Sequence, residues 1–199
     1  MLEFVILAFY LIIYALLYGA IIALSIASYV LQAIALQSIA KRRGFSKPWL
    51  SWIPVANIWL LGAIADEYDS RAGISKNYGK KTVITYVASL VIIFSGIIFM
   101  CAGIIISGEI GLPEEFMMII VLLSFAVYIV GFVFLGFYCA FYYISLFKVF
   151  RSTAGKMAIL YFMLSMFVSS YALPICLFIC RNKGYDVTKI DIIEPLDIE

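Results

Sequence analysis

Apolar residues in this chain run in long blocks. Four long apolar stretches cover about 4–40, 82–106, 116–147 and 157–180, and a fifth, shorter one covers 45–65. No Asp, Glu, Lys, Arg or His falls inside the four long stretches. Crossing ~30 Å of hydrocarbon takes ~20 helical residues at ~1.5 Å rise each, so the pattern predicts membrane-spanning helices. Stretches 82–106 and 157–180 have the length of one crossing. Stretch 4–40 is far longer and reaches roughly 55 Å as a helix. It and 116–147 are each expected to span and then project a turn or several into the cytoplasmic interface.

Two of the five segments contain a break. Pro54 sits midway in Trp49-Leu50-Ser51-Trp52-Ile53-Pro54-Val55-Ala56-Asn57, and Pro174 follows Ser169-Ser170-Tyr171-Ala172-Leu173. A mid-segment proline removes a backbone donor and clashes with the preceding turn. Backbone groups freed at membrane depth need another partner, which Asn57 and the Ser169-Ser170 pair can supply. All three tryptophans, Trp49, Trp52 and Trp59, fall in the first of these segments, where indole favours the headgroup level.

Charge sets the orientation. The fourteen Lys and Arg residues cluster at 41–47, 71–81, 148–156 and 181–189. The other polar connections are the N-terminus with Glu3 and the loop 107–115 with Glu109, Glu114 and Glu115, and they hold no base. Basic connections stay in the cytoplasm. The arrangement that violates nothing has three full spans (4–40, 82–106, 116–147), with 45–65 and 157–180 entering and leaving on the cytoplasmic side. Four or five full spans is the alternative, since the 157–180 stretch is long enough to cross. The N-terminus is then outside and the C-terminus cytoplasmic. The first apolar run is too long for a cleavable signal peptide and has an acidic flank, so it reads as an uncleaved anchor.

Composition agrees. Of 199 residues, 65% are hydrophobic and 13% charged, against about 45–50% and ~25% in a soluble domain, and the mean hydropathy is +1.09. This excludes a nucleic-acid binder, a secreted disulfide scaffold and a disordered chain. With no His, the commonest general base and metal ligand is missing. The expected fold is an all-α integral membrane protein: one transmembrane domain over 1–183 and an acidic cytoplasmic tail over 184–199. The four cysteines, Cys101, Cys139, Cys176 and Cys180, all lie in apolar segments. They are expected to be packed, reduced and chemically idle.

The halves echo each other at an offset of about 107. Each has a long span ending in bases, a glycine linker (Gly44, Gly155) and a Pro-broken apolar segment. Residue identity across the offset is poor, so an internal duplication stays open.

The stretch Lys41-Arg42-Arg43-Gly44-Phe45-Ser46-Lys47-Pro48-Trp49-Leu50-Ser51-Trp52-Ile53-Pro54-Val55-Ala56-Asn57, leading to Ile64-Ala65-Asp66, resembles small uncharacterised polytopic membrane proteins of Gram-positive, clostridia-like bacteria. These share a basic-basic-Gly, Pro-Trp, Ile-Pro-x-x-Asn pattern, and the closing Leu177-Phe178-x-Cys180-Arg181-Asn182-Lys183 is similar to theirs. The resemblance implies a bacterial cell membrane and brings no activity. Some members carry a signal-peptidase label. This chain gives it no support: every Lys lies on the inner side, so no Ser–Lys pair stands on an extracytoplasmic domain.

Candidate residues follow from this frame. Pro48, Trp49, Trp52, Pro54, Asn57, Trp59 and Asp66 form a structural hairpin. Gly19, Ala23 and Ala27, at four-residue spacing, form a helix-packing face that admits another helix closely. Tyr10, Tyr14 and Tyr18 form a stripe that reads as packing and an outer aromatic belt, or as a wall for a hydrophobic substrate. Asp66, Glu67 and Asp69 read as a solvated mixed-charge loop, with a divalent-cation site as the alternative. The basic clusters could contact anionic lipid. The tail carries Asp186, Asp191, Glu194, Asp197 and Glu199 against Lys189, among apolar residues that suit a docking element as well as disorder. No ionisable group lies at membrane depth, which argues against an ion-coupled carrier or an acid–base enzyme.

No catalytic residue, cofactor or metal is expected. The expected function is a non-enzymatic scaffold or accessory subunit of a membrane complex. Its partners are the lipid bilayer and a second copy or another membrane protein, met through the first span and the acidic tail. A small transporter or pore running where the two broken segments meet is the alternative.

Overall fold

A computed structural model describes residues 2–71, 73–74, 76–110, 113–167 and 171–182. The acidic tail 184–199 and the Ser169-Ser170 pair lie outside the described residues. Within them the chain forms six helices: α1 (Leu2–Arg42), α2 (Pro54–Arg71), α3 (Tyr78–Ile110), α4 (Glu114–Ala154), α5 (Ala158–Phe167) and α6 (Ala172–Cys180). Two 3-10 turns, Pro48–Trp52 and Gly155–Met157, precede α2 and α5. Three helices, α1, α3 and α4, are long and apolar enough to cross a membrane. The protein is therefore a multi-pass helical membrane protein.

The chain divides into two compact units, one of Met1–Asn57 and Phe150–Glu199, the other of Ile58–Val149.

In the first unit α1 runs 41 residues, roughly 60 Å, and its two ends differ. Where the burial of its side chains is described, none from Phe4 to Ala27 is covered. Beyond that, Ala33, Leu36, Ile39 and Ala40 are buried where α6 lies along it. From α6 come Leu173, Cys176, Leu177 and Cys180, all buried. In lipid such contacts gain from tight packing rather than from excluding water. Gly44 (φ +77) ends α1: its N–H donates to Lys41 O (3.2 Å) and the Phe45 N–H to Ala40 O (3.1 Å). This Schellman motif needs a left-handed residue, which only glycine supplies without strain. Arg42 donates to Asn182 Oδ1 (3.3 Å) and Arg43 to Ser152 Oγ. The end of α4 and the end of α6 thus both reach the C-terminal end of α1.

In the second unit α3 and α4 pack antiparallel over small residues. A Cβ on Gly96 would meet Val127 and Tyr128, one on Gly131 would meet Ile93, and one on Gly103 would meet Ile120 at 2.5 Å. The rings of Tyr86 and Tyr138 lie 5.0 Å apart across the same pair.

The structure corrects several expectations. Segment 45–65 is not a helix broken at Pro54. It is a 3-10 turn followed by a helix that begins at Pro54 and runs on to Arg71. Proline at the first helical position loses nothing, because that N–H has no intrahelical partner, and the preceding Ile53 takes the extended conformation (φ −98, ψ 122) that proline imposes. Pro174 likewise sits in the first turn of α6, which begins at Ala172. Cys101 and Cys139 are exposed, while Cys176 and Cys180 are buried. All four are free thiols, but only two are packed.

Candidate functional site

Two polar clusters organise the connections between helices. The first belongs to the first unit. After Gly44 the chain doubles back along α1, and the 3-10 turn docks by neutral hydrogen bonds. Tyr29 Oη donates to Trp52 O (2.7 Å), and Trp52 Nε1 donates to Gln37 Oε1 (3.0 Å). Asn57 is 3% exposed; its Nδ2 donates to Ser51 O at 2.8 Å, and its Oδ1 accepts from Gln32 Nε2 at 3.5 Å. Asn57 thus ties the turn to the start of α2. Pro48 opens the turn, and Trp49 and Trp52 are exposed apart from the Trp52 nitrogen just described.

The second cluster belongs to the second unit. Asp66 stands on α2 and caps α3 from a distance. Its Oδ1 accepts the Tyr78 N–H (2.5 Å) and its Oδ2 the Gly79 N–H (2.9 Å). These are orphan donors at a helix start, where the dipole favours negative charge. One turn back on α2, Gly62 touches Gly79: a Cβ on Gly62 would sit 2.5 Å from Gly79 Cα and 2.7 Å from Gly79 N. The two backbones meet with no side chain between them. Asn77, in the left-handed region (φ 53), turns the chain into α3. At the other end of α2, Gly73 (φ +75) donates to Ser70 O and Ile74 donates to Asp69 O, a second Schellman closure.

Asp69 and Lys148 form an ion pair in the same unit, with side chains 7% and 18% exposed. Lys148 Nζ also lies 4.2 Å from the centre of the Tyr78 ring. Glu67 pairs with Arg71 one turn on (2.5 Å). Asp66, Glu67 and Asp69 are therefore not a solvated loop. The helix continues through them and points Asp66 and Asp69 at fixed partners. Among the described residues no group of three or more metal-ligating side chains occurs.

The structure does not gather the expected residues into one place. Pro48, Trp49, Trp52, Pro54 and Asn57 belong to the first cluster and Asp66 to the second. Trp59 is a partly exposed residue of α2 whose backbone carbonyl faces Gly79. Gly19, Ala23 and Ala27 are exposed, and nothing lies within 4 Å of a Cβ placed on Gly19. Tyr10, Tyr14 and Tyr18 are exposed too, so this part of α1 packs on no described residue of its own unit. Gly62, Gly79, Tyr78 and Lys148 were missed as site residues. The only local signal was the glycine after Tyr78.

In comparisons with protein-family models, curated proteins and solved structures, the chain matches none.

Proposed function

We propose that this chain is a non-enzymatic scaffold or accessory subunit of a complex in a bacterial cell membrane, with its N-terminus outside and its C-terminus cytoplasmic. One observation carries the reading. The first part of α1 is long enough to span the membrane alone, carries a small-residue face and a tyrosine face, and is covered by none of the described residues of its own unit. The nominated polar groups Asn57, Trp52, Asp66 and Asp69 are meanwhile engaged in joining elements of the chain. An apolar helix left open by the described residues of its own unit suits a subunit that contributes a span to an assembly.

Three spans with two cytoplasm-side segments remain the preferred topology. In favour of the return of 157–180 to its starting side is that Arg42 and Arg43 of α1 contact Asn182 after that segment and Ser152 before it. In a cysteine-free background, single cysteines at Glu109 and Glu115 should react with an impermeant thiol reagent on intact cells. Those at Lys47 and Asn182 should react only after the membrane is opened, and labelling of Asn182 from outside makes 157–180 a full span.

The functional test is a mild-detergent pull-down from the native host, with the parent and a Gly19→Leu, Ala23→Leu, Ala27→Leu variant. A stoichiometric membrane-protein partner lost in the variant is expected. Ion conduction or solute uptake by the purified chain in liposomes would replace this reading with the transporter or pore.

A further inference from the structure

The first unit gathers bases at one end. Lys41, Arg42 and Arg43 close α1 and Lys47 follows; Arg151 lies in the last turn of α4, Lys156 in the next 3-10 turn, and Arg181 directly after α6. The Arg42–Asn182 and Arg43–Ser152 bonds bring these ends together across 140 and 109 positions of chain. The only acid among the described residues of this unit is Glu3, at the far end of α1. Lys41, Arg42, Lys47, Arg151 and Lys156 are exposed. Arg181 also stacks on the Phe178 ring (3.5 Å to its centre). Three helix C-termini contribute roughly −0.5 each, about −1.5 together, less than the charge of Lys41, Arg42, Lys47, Arg151 and Lys156, for which no carboxylate stands nearby among the described residues of the unit. In the second unit Lys148 meets Asp69 and Arg71 meets Glu67, while Lys76, Lys80 and Lys81 are exposed along one short stretch of chain. The positive-inside bias asks only that bases lie on one side. It does not ask that they converge from separate segments.

The surface beside these bases is apolar. Met157, Ile159 and Leu160 follow Lys156, and Ile175 and Ile179 precede Arg181, all of them exposed. Cations bordering an exposed apolar face match a ligand with an anionic head and hydrocarbon chains. We propose that this end of the first unit binds an anionic phospholipid, with its phosphate at Arg42, Arg151 and Arg181 and its acyl chains along α5 and α6. Guanidinium suits phosphate because its planar fork can donate two parallel bonds. The proposal needs only that the chain is a membrane protein and is independent of the scaffold reading.

The test uses the full chain in neutral detergent, titrated with phosphatidylglycerol or phosphatidylcholine and read by native mass spectrometry. Retention of phosphatidylglycerol should exceed that of phosphatidylcholine by about tenfold or more. The Arg42→Gln, Arg151→Gln, Arg181→Gln variant should lose that preference, and the matching three Arg→Lys changes should keep part of it, which separates binding from misfolding. A control in the second unit, Lys76→Gln, Lys80→Gln, Lys81→Gln, removes the same charge and should leave the preference within about threefold. Equal loss in both glutamine variants would reduce the effect to net charge and overturn the proposal, as would equal retention of the two lipids. Displacement of phosphatidylglycerol by equimolar inorganic phosphate would identify a free-anion site instead. If lipid binds only after Asp186, Asp191, Glu194, Asp197 and Glu199 are changed to their amides, the acidic tail is the occupant and the lipid proposal fails.

Discussion

The corner after α1 and the corner after α2 turn on the same backbone device and are held by opposite chemistry. Gly44 and Gly73 both adopt the left-handed conformation and close their helices with Schellman bonds. After Gly44 the returning chain is fixed by neutral donors and acceptors: Tyr29, Gln32, Gln37, Asn57 and the Trp52 indole. After Gly73 it is fixed by carboxylates, Asp66 on the start of α3 and Asp69 on Lys148, and by bare backbone contact at Gly62 and Gly79. A neutral hydrogen bond tolerates a low-dielectric surrounding, because breaking it strands no charge. A buried ion pair tolerates it only while both partners remain. The neutral corner, rimmed by Trp49, Trp52 and Ile53, suits contact with lipid, and the charged corner suits the aqueous boundary.

The sharpest way to break the charged corner is to halve its ion pair. Asp69→Leu leaves the largely covered Lys148 without its counter-charge, and removing one member of a buried pair costs about 3–5 kcal/mol, the lower end suiting a lysine that keeps some access to water. Thermal unfolding in detergent should show a large loss, mostly recovered in Asp69→Leu, Lys148→Met, since the pair itself contributes little net stability. Failure of the second change to rescue would mean that Asp69 holds the corner through a different contact. The Glu67–Arg71 pair, whose arginine is exposed, should matter far less, within about 1 kcal/mol.

Next in size is the glycine contact. Gly62→Ala drives a methyl group into the Gly79 backbone, which has no side chain to swing away; overpacking of this kind costs about 1–3 kcal/mol. The Asp66 bonds should weaken with it, because they share the same crossing of α2 and α3. Faster hydrogen exchange at the Tyr78 and Gly79 amides would register this directly.

The neutral corner should yield to Asn57→Leu. That change leaves the Ser51 carbonyl without the Asn57 donor at a buried position, at about 1–3 kcal/mol. Pro54→Ala sharpens the contrast. Since Pro54 opens α2 instead of interrupting it, its removal should shift unfolding by no more than about 0.5 kcal/mol. A large loss there would restore the broken-helix picture that the sequence suggests.

What was legible follows from physics that acts locally. Hydrocarbon thickness and the cost of burying charge write the three long helices directly into the apolar runs. The cost of bending a chain writes the corners into Gly44 and the prolines. The rest depends on distance along the chain. Asp69 and Lys148 lie 79 positions apart, and no spacing rule joins them. Gly62 and Gly79 carry no periodic signal, because each marks a single crossing. The faces of the spanning helices were illegible for another reason. A helix that is apolar all round carries no period to tell a packed side from a lipid-facing one. This is why Cys101 and Cys139, read as packed, are exposed, and why the Gly19 face, read as a packing face, has no neighbour among the described residues of its own unit.

The smallest predicted effect tests the largest inference about α1. Gly19→Ala is the same chemical change as Gly62→Ala, made where nothing lies within 4 Å of the new methyl group. Alanine is the better helix former by about 0.8–1 kcal/mol in an exposed helix interior. In the isolated chain the change should therefore be neutral or slightly stabilising, opposite in sign to Gly62→Ala. In the native membrane the expectation depends on what faces α1. Lipid tails adapt to one extra methyl group, whereas a helix seated on Gly19, Ala23 and Ala27 does not. Measuring the two substitutions in the purified chain, and Gly19→Ala again for partner retention in the host, separates these cases. Destabilisation of the purified chain by Gly19→Ala would show that α1 already packs on its own protein and would remove the argument for a partner. Neutrality in the purified chain with weakened retention in the host would locate the partner on that face.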